Sequence, residues 1–204
     1  MTDNKLYELE KWAKYGKLMS GLIHNLNTPL MGLSGRIELL EMKYPDIKGI
    51  ENLTKHVDTL SNMLKASAYF TDKDANDKEY DTDLHEFIER FDMFMKAHMK
   101  YKHGLFVEKE LIDVNILMNP QRYFNAMYII IDYILDFTGE EDTLTYKNDD
   151  KQLSLVFNSG SGVYSINNND FEPIFQTASK LLEEIGKTIK YKIDQESLEI
   201  VFDL

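Results

Sequence analysis

Apolar residues near the start of the chain recur at helical spacing. Leu18, Leu22, Leu26, Leu30, Leu33, Ile37 and Leu40 follow one another at intervals of three or four, as they do on one face of an α-helix. The pattern predicts a single long helix over residues 3–43. Tyr44-Pro45-Asp46 ends it, because a residue before proline is steered away from the helical region. Ile50, Leu53, Val57, Leu60 and Leu64 repeat the spacing and predict a second helix over 47–70. Two helices joined by a short turn form an antiparallel hairpin. Stripes of this length are only half covered within one hairpin, so a dimer forming a four-helix bundle is the expected assembly.

Residues 72–82 are almost all polar and read as a linker. Beyond them the periodicity alternates. A helix is predicted over 83–101, strands near 105–110 and 114–118, and a helix over 120–137 opened by Asn119-Pro120, a cap and a first-turn proline. Strands follow at 142–147 and 152–158, then the turn-rich stretch NSGSGVYSINNND, a helix over 171–185 ending at Gly186, and strands at 188–193 and 197–203. The expected fold class is α+β: a helical hairpin domain (1–71), a linker (72–82), and an α/β sandwich (83–204) with helices beside a mostly antiparallel sheet.

Composition narrows the chemistry. The 204 residues are 43% hydrophobic with four prolines, so the chain folds around a core rather than remaining disordered. The absence of cysteine excludes disulfides, thiolate metal sites and a cysteine nucleophile. Residues 1–71 carry nine Lys and Arg against eight Asp and Glu, whereas 72–204 carry fourteen against twenty-seven. So acidic a second half is a poor host for nucleic acid. No apolar run has the length of a membrane span, and the polar amino terminus does not read as a signal peptide; the expected location is cytoplasmic. His56, His85, His98 and His103 are scattered and complete no metal-ligand pattern, so no metal site is expected.

Residues 16–41, GKLMSGLIHNLNTPLMGLSGRIELLE, carry the candidate chemistry. At 100° per residue, His24 points about 200° from both Leu22 and Leu26, while Lys17, Gly21, Thr28 and Gly35 lie within about 60° of it. Pro29 interrupts the helical bonding just after His24. A histidine on a surface cleared by small residues is either plain solvent-exposed helix or a nucleophile that must meet another protein's reactive group. An unhindered imidazole, a side chain that ordinarily titrates near neutral pH, suits the second task.

The segment closely resembles the dimerisation and phosphoacceptor helix of sensor histidine kinases. Gly16, Leu18, Gly21, His24, Leu26, Asn27, Thr28, Pro29, Leu30, Gly35, Glu38, Leu39 and Leu40 fit that pattern. The resemblance implies that His24 is a phosphoacceptor, that the bundle is a homodimer, and that Thr28 stands where the family orients water for dephosphorylating a partner. It also exposes a departure: the residue after the histidine is usually an acid that acts as a base, and here it is Asn25, whose amide cannot take a proton at neutral pH.

The second half is similar, more weakly, to the family's ATP-binding domain. The Asn pair that faces phosphate and magnesium there falls on Asp132 and Asp136, whose spacing suits one helical face; two carboxylates there either are plain helix surface or hold magnesium, and they repel a triphosphate. The adenine-reading Asp-x-Gly-x-Gly falls on Asn158, Gly160 and Gly162. Phe171-Glu172-Pro173-Ile174-Phe175 resembles the family's phenylalanine-rich box, yet Gln176-Thr177-Ala178-Ser179 runs directly into the last helix where a lid and a second glycine motif are usual. The expectation is a degenerate domain that binds no cofactor. Taken together, the resemblance implies a histidine phosphotransferase. His24 would exchange a phosphoryl group with aspartates of response-regulator receiver domains, which supply magnesium, and Lys17, Gly21, Met31 and Gly35 would form the docking surface. Two alternatives stand beside it: a pseudokinase that dephosphorylates or sequesters a response regulator, and an atypical ATP-dependent kinase.

Overall fold

The computed structural model describes the backbone of residues 3–71, 78–160, 166 and 168–204, and the side chains of 18–19, 21–68, 78–160, 166 and 169–204. The chain divides into two compact units, residues 1–73 and 74–204.

The first unit is a helical hairpin. Helix α1 spans Asp3–Lys43 and continues through Pro29; α2 spans Ile50–Thr71. The predicted start at 47 is displaced to Ile50 because Gly49 holds the turn at φ +99°, a left-handed backbone that side chains other than glycine's rarely allow. The Gly49 carbonyl then accepts the Leu53 N–H at 3.2 Å. Ile37, Ile50 and Val57 form the buried seam with Leu30 packed against them, and Ile23 and Ala66 are also buried. Thr54 Oγ1 donates to Glu41 Oε1 at 3.1 Å beside this seam.

The single leucine stripe expected on α1 is therefore divided. Leu30 and Ile37 face α2 together with Ile23, which the stripe did not include, whereas Leu18, Leu22, Leu26, Leu33 and Leu40 remain exposed. The reason is the seven-residue step from Ile23 to Leu30 to Ile37: a straight two-helix contact selects one narrow seam.

The second unit orders its elements β1 (Tyr80–Asp83), α3 (Leu84–Met95), α4 (Met99–His103), β2 (Phe106–Glu110), β3 (Asn115–Met118), α5 (Pro120–Ile134), β4 (Thr143–Asn148), β5 (Gln152–Asn158), α6 (Asn168–Glu183), β6 (Ile189–Ile193) and β7 (Ser197–Asp203). The main sheet has strand order β2-β4-β5-β7-β6; β2 pairs with β4 in parallel and the other pairs are antiparallel. One sheet face is apolar: Leu144, Tyr146, Leu153, Leu155, Phe157, Leu198, Ile200 and Phe202 are buried along alternating positions. Buried Phe87, Phe91, Phe124, Met127, Ile131, Phe171 and Leu182 of α3, α5 and α6 complete the core.

Four boundaries differ from the sequence pattern. Residues 80–83, expected within the linker and at the start of the first helix, form β1, which pairs antiparallel with β3 in a separate two-stranded sheet; residues 72–77 of that linker lie outside the described residues. Asp83 instead caps α3, its side chain accepting the Glu86 N–H at 2.9 Å. The helix expected over 83–101 stops at Met95, and His98 is extended before α4. In a continuous helix Tyr101 would point about 180° from Asp92; the break lets its hydroxyl turn back to Asp92 Oδ1 at 2.9 Å. Helix α5 stops at Ile134, and α6 begins at Asn168.

Candidate functional site

On α1, His24 is exposed and makes no hydrogen bond or ion pair among the described residues. Its surroundings follow from helical geometry. The side chains facing α2 (Ile23, Leu30, Ile37) point about 100–140° to one side of it, and exposed Leu22, Leu26, Leu33 and Leu40 point about 160–200° away. The histidine therefore lies on neither the hairpin seam nor the leucine face. Thr28 and Met31 are exposed on its own face. Pro29 lacks an N–H, so the Asn25 carbonyl receives no i→i−4 bond from it. Asn25 is exposed beside the histidine. The Lys17 side chain lies outside the described residues.

Glycines mark this face. A Cβ added at Gly21, Gly32 or Gly35 would meet no atom within 4 Å, and all three fall within about 80° of His24. Glycine inside a helix costs about 1 kcal/mol relative to alanine. Nothing within the hairpin requires that cost, and all three positions widen the same surface.

The nucleotide-site positions lie in the second unit, and the structure pairs them internally. Asp136 Oδ1 accepts from Lys100 Nζ at 2.7 Å, and Asp132 Oδ1 lies 3.8 Å from His98 Nε2. The Lys100 ammonium beside it holds the Asp136 carboxyl below its usual value. The two carboxylates do not share one helical face as the spacing implied. Asp132 is on α5, whereas Asp136 follows its end in a turn whose N–H reaches the Tyr133 carbonyl at 3.2 Å. Among the described residues no group of three His, Asp or Glu side chains is placed to hold a metal ion.

Asn158 ends β5, exposed, opposite Thr143 and Ser197. Gly160 follows it in a tight approach: an added Cβ would lie 2.2 Å from the Glu141 carbonyl oxygen. Its N–H donates to Asp142 Oδ1 at 2.9 Å, and the second Asp142 oxygen accepts the Gly139 N–H at 2.9 Å. Gly162 lies outside the described residues. Asp142 is thus a buried organiser of two loops that sequence reasoning missed. Its only sequence signal is an Asp three residues after Gly139, a common turn arrangement.

Helix α6 runs unbroken over Asn168–Glu183, so no loop separates the phenylalanine-rich segment from the last helix. Phe171 and Phe175 are buried and meet the Tyr191 ring edge-on, with ring centroids 5.0 and 4.5 Å away. Phe171 also lies 5.9 Å from the Tyr133 ring of α5. Arg122 of α5 pairs with Glu184 at 2.5 Å, just beyond the end of α6.

No family model matches the chain, and no curated protein matches it by sequence. Solved structures do. The nucleotide-free catalytic domain of the histidine kinase ThkA superposes with a TM-score of 0.50 at 14% identity, covering 62% of this chain and 95% of that one. The Acinetobacter baumannii histidine kinase AdeS matches with a TM-score of 0.49 at 14% identity, over 89% of this chain and 96% of that one. Full-length ShkA in complex with AMPPNP matches with a TM-score of 0.48 at 15% identity, over 92% of this chain and 45% of that one. No described helix is long and apolar enough to cross a membrane. The α+β architecture with its mixed sheet resembles the fold of a histidine kinase catalytic domain.

Proposed function

We propose that this chain is a histidine phosphotransfer protein of a two-component system, carrying a phosphoryl group on His24 between receiver-domain aspartates without using ATP. One observation carries it: an exposed histidine stands on a helix face opened by Gly21, Gly32 and Gly35, none of which the hairpin itself requires. Such a surface suits close approach by another protein's backbone.

The step is an in-line exchange. The lone pair of an unprotonated His24 ring nitrogen attacks phosphorus of the receiver's aspartyl phosphate. An N–P bond forms, the P–O bond to the aspartate breaks, and the carboxylate leaves with the bond's electrons; the other ring nitrogen keeps its proton. No strong base is needed, which is compatible with Asn25 beside the histidine. The receiver would contribute magnesium and most of the charge stabilisation. Reversal onto a second receiver completes the relay. Thr28, one turn along on the same face, would orient the phosphoryl group or a water, and Lys17, Gly21, Met31 and Gly35 would lie under the docked receiver. Exposed leucines on α1, with Leu53 and Leu60 on α2, favour a homodimeric four-helix bundle.

Three features weigh against ATP as the donor. Asp132 and Asp136 add negative charge where phosphates would sit, Lys100 is already engaged with Asp136, and α6 leaves no room in sequence for a lid. The test is acid-labile labelling of the purified chain by phosphorylated receiver domains, with ATP alone in parallel and His24→Ala as control. Label from a charged receiver only, lost in His24→Ala, is expected. Label from ATP alone would make it a kinase. Faster receiver dephosphorylation without label, abolished by Thr28→Ala, would make it a phosphatase.

A further inference from the structure

A cleft of about 450 Å³ opens between α3, α4 and the edge strand β2, and its lining includes none of His24, Asp132 and Asp136. Its volume is in the range of small-molecule sites. Lys96, Lys102 and Lys109 line it. At its base is Asp92, whose side chain is 3% exposed and whose oxygens are both engaged: Oδ1 accepts from Tyr101, and Oδ2 accepts from Lys96 at 2.9 Å and Lys109 at 2.8 Å.

That arrangement inverts the local charge of an acidic unit. The one carboxylate in the wall is enclosed by its donors, so a ligand meets ammonium groups first. Each ammonium has three N–H donors. Lys96 uses one on Asp92, Lys109 uses two on Asp92 and Glu89, and Lys102 has no ion pair among the described residues. Donors therefore remain along one wall. Lysines act as point charges suited to phosphate rather than as planar forks for carboxylate. The other wall is apolar: Leu105, Val107 and Phe106, a residue 64% exposed on the sheet edge. Phe106 lines the cleft together with the three lysines and is not part of the buried core.

We propose that this cleft binds a small organic phosphate, its phosphate on Lys96, Lys102 and Lys109 and its apolar body against Phe106 and Leu105. Binding here is independent of the phosphotransfer reading.

The experiment is calorimetric titration of the full chain with phenyl phosphate, and with inorganic phosphate and phenol in parallel. Saturable binding of phenyl phosphate is expected, tighter than for either fragment and weakened by salt. Lys102→Glu should weaken it by about tenfold or more, equivalent to about 1.4 kcal/mol, Lys102→Ala by less, and Phe106→Ala should bring it toward inorganic phosphate. Lys102 and Phe106 are exposed, so unchanged thermal melts will show that these variants fold. His24→Ala should bind normally. Absence of saturable binding, equal affinity for inorganic phosphate, or binding indifferent to Lys102→Glu and Lys102→Ala would each overturn the proposal.

Discussion

Asp142 and Gly160 join the two loops that flank the end of β5: the buried carboxylate of one accepts the N–H of the other at 2.9 Å. The second Asp142 oxygen takes the Gly139 N–H, and its carbonyl accepts the Phe106 N–H at 2.8 Å. The glycine of this turn therefore has a packing reason that is independent of any nucleotide. A side chain at 160 would strike the Glu141 backbone.

Gly160→Ala should accordingly lower stability by about 1–3 kcal/mol, the usual cost of forcing atoms into an occupied space. Denaturant midpoints at constant slope will read it. A loss below about 0.5 kcal/mol, within the ordinary range of surface substitutions, would mean that the loop moves aside and the close approach is not structural. Asp142→Ala should be at least as damaging, because it leaves two backbone donors without their acceptor.

The cluster around Asp92 sets a pH window. Burial pushes the Asp92 carboxyl up, but hydrogen bonds from Lys109 and Lys96 more than reverse this and hold it below its ordinary 3.8. Burial pushes Lys109 down, and the hydrogen bonds that its ammonium donates to Asp92 and Glu89 raise it above its ordinary 10.5. A carboxylate lowered on folding contributes stability above its unfolded value and loses it as pH falls through the folded one. A raised lysine contributes fully below its unfolded value and loses it as pH rises through the folded one. The cluster should therefore contribute fully between about pH 4 and pH 10 and fade on both sides. Asp92→Asn should cost about 3–5 kcal/mol at neutral pH, as removing one partner of a buried pair does. The difference between wild type and variant should shrink below pH 4. A pH-independent difference would show that the loss is one of packing.

Much of this architecture was legible because its signals are local. The α5 start was readable from Asn119-Pro120, and the Asn119 side chain does accept the Arg122 N–H at 3.1 Å. Strands β4 to β7 were readable from apolar residues recurring at every second position, as in Leu153, Leu155 and Phe157. The failures share a cause, since each depends on a partner distant in sequence. Strand β1 reads as polar linker because Asp81 and Asp83 face outward, and only pairing with Leu117 and Asn115 makes it a strand. The break between α3 and α4 has no glycine or proline to announce it; Tyr101 reaching Asp92 and Tyr146 requires it. At the candidate site, the exposure of His24 was readable from helical angles, whereas the pairing of Asp136 with Lys100, thirty-six positions away, was not.

His24→Ala should leave the fold intact. The imidazole is exposed and unpaired among the described residues, so the expected change is within about 0.5 kcal/mol, with alanine's higher helix propensity acting in favour of the variant. Thermal melts will check this. A loss of more than about 1 kcal/mol would show that the ring has a structural contact and would weaken its use as the unreactive control in labelling.

The division of the α1 leucines makes a separate prediction about assembly. Leu22, Leu26, Leu33 and Leu40 are about half exposed, as are Leu53 and Leu60 on α2. Together they offer an apolar surface on both helices that the α1–α2 seam leaves uncovered. Burial of such side chains contributes about 25 cal/mol per Å² removed from water, and a second hairpin presenting the same surface satisfies both copies at once. Light scattering should therefore give a two-chain mass for the wild type. Leu26→Glu with Leu33→Glu should give a single-chain mass, since a carboxylate buried there would have no partner. His24→Glu, which points about 160–180° from those leucines, should keep the two-chain mass. Loss of the dimer in His24→Glu but not in the leucine pair would place the interface on the histidine face instead, and that face would then be closed to a receiver domain.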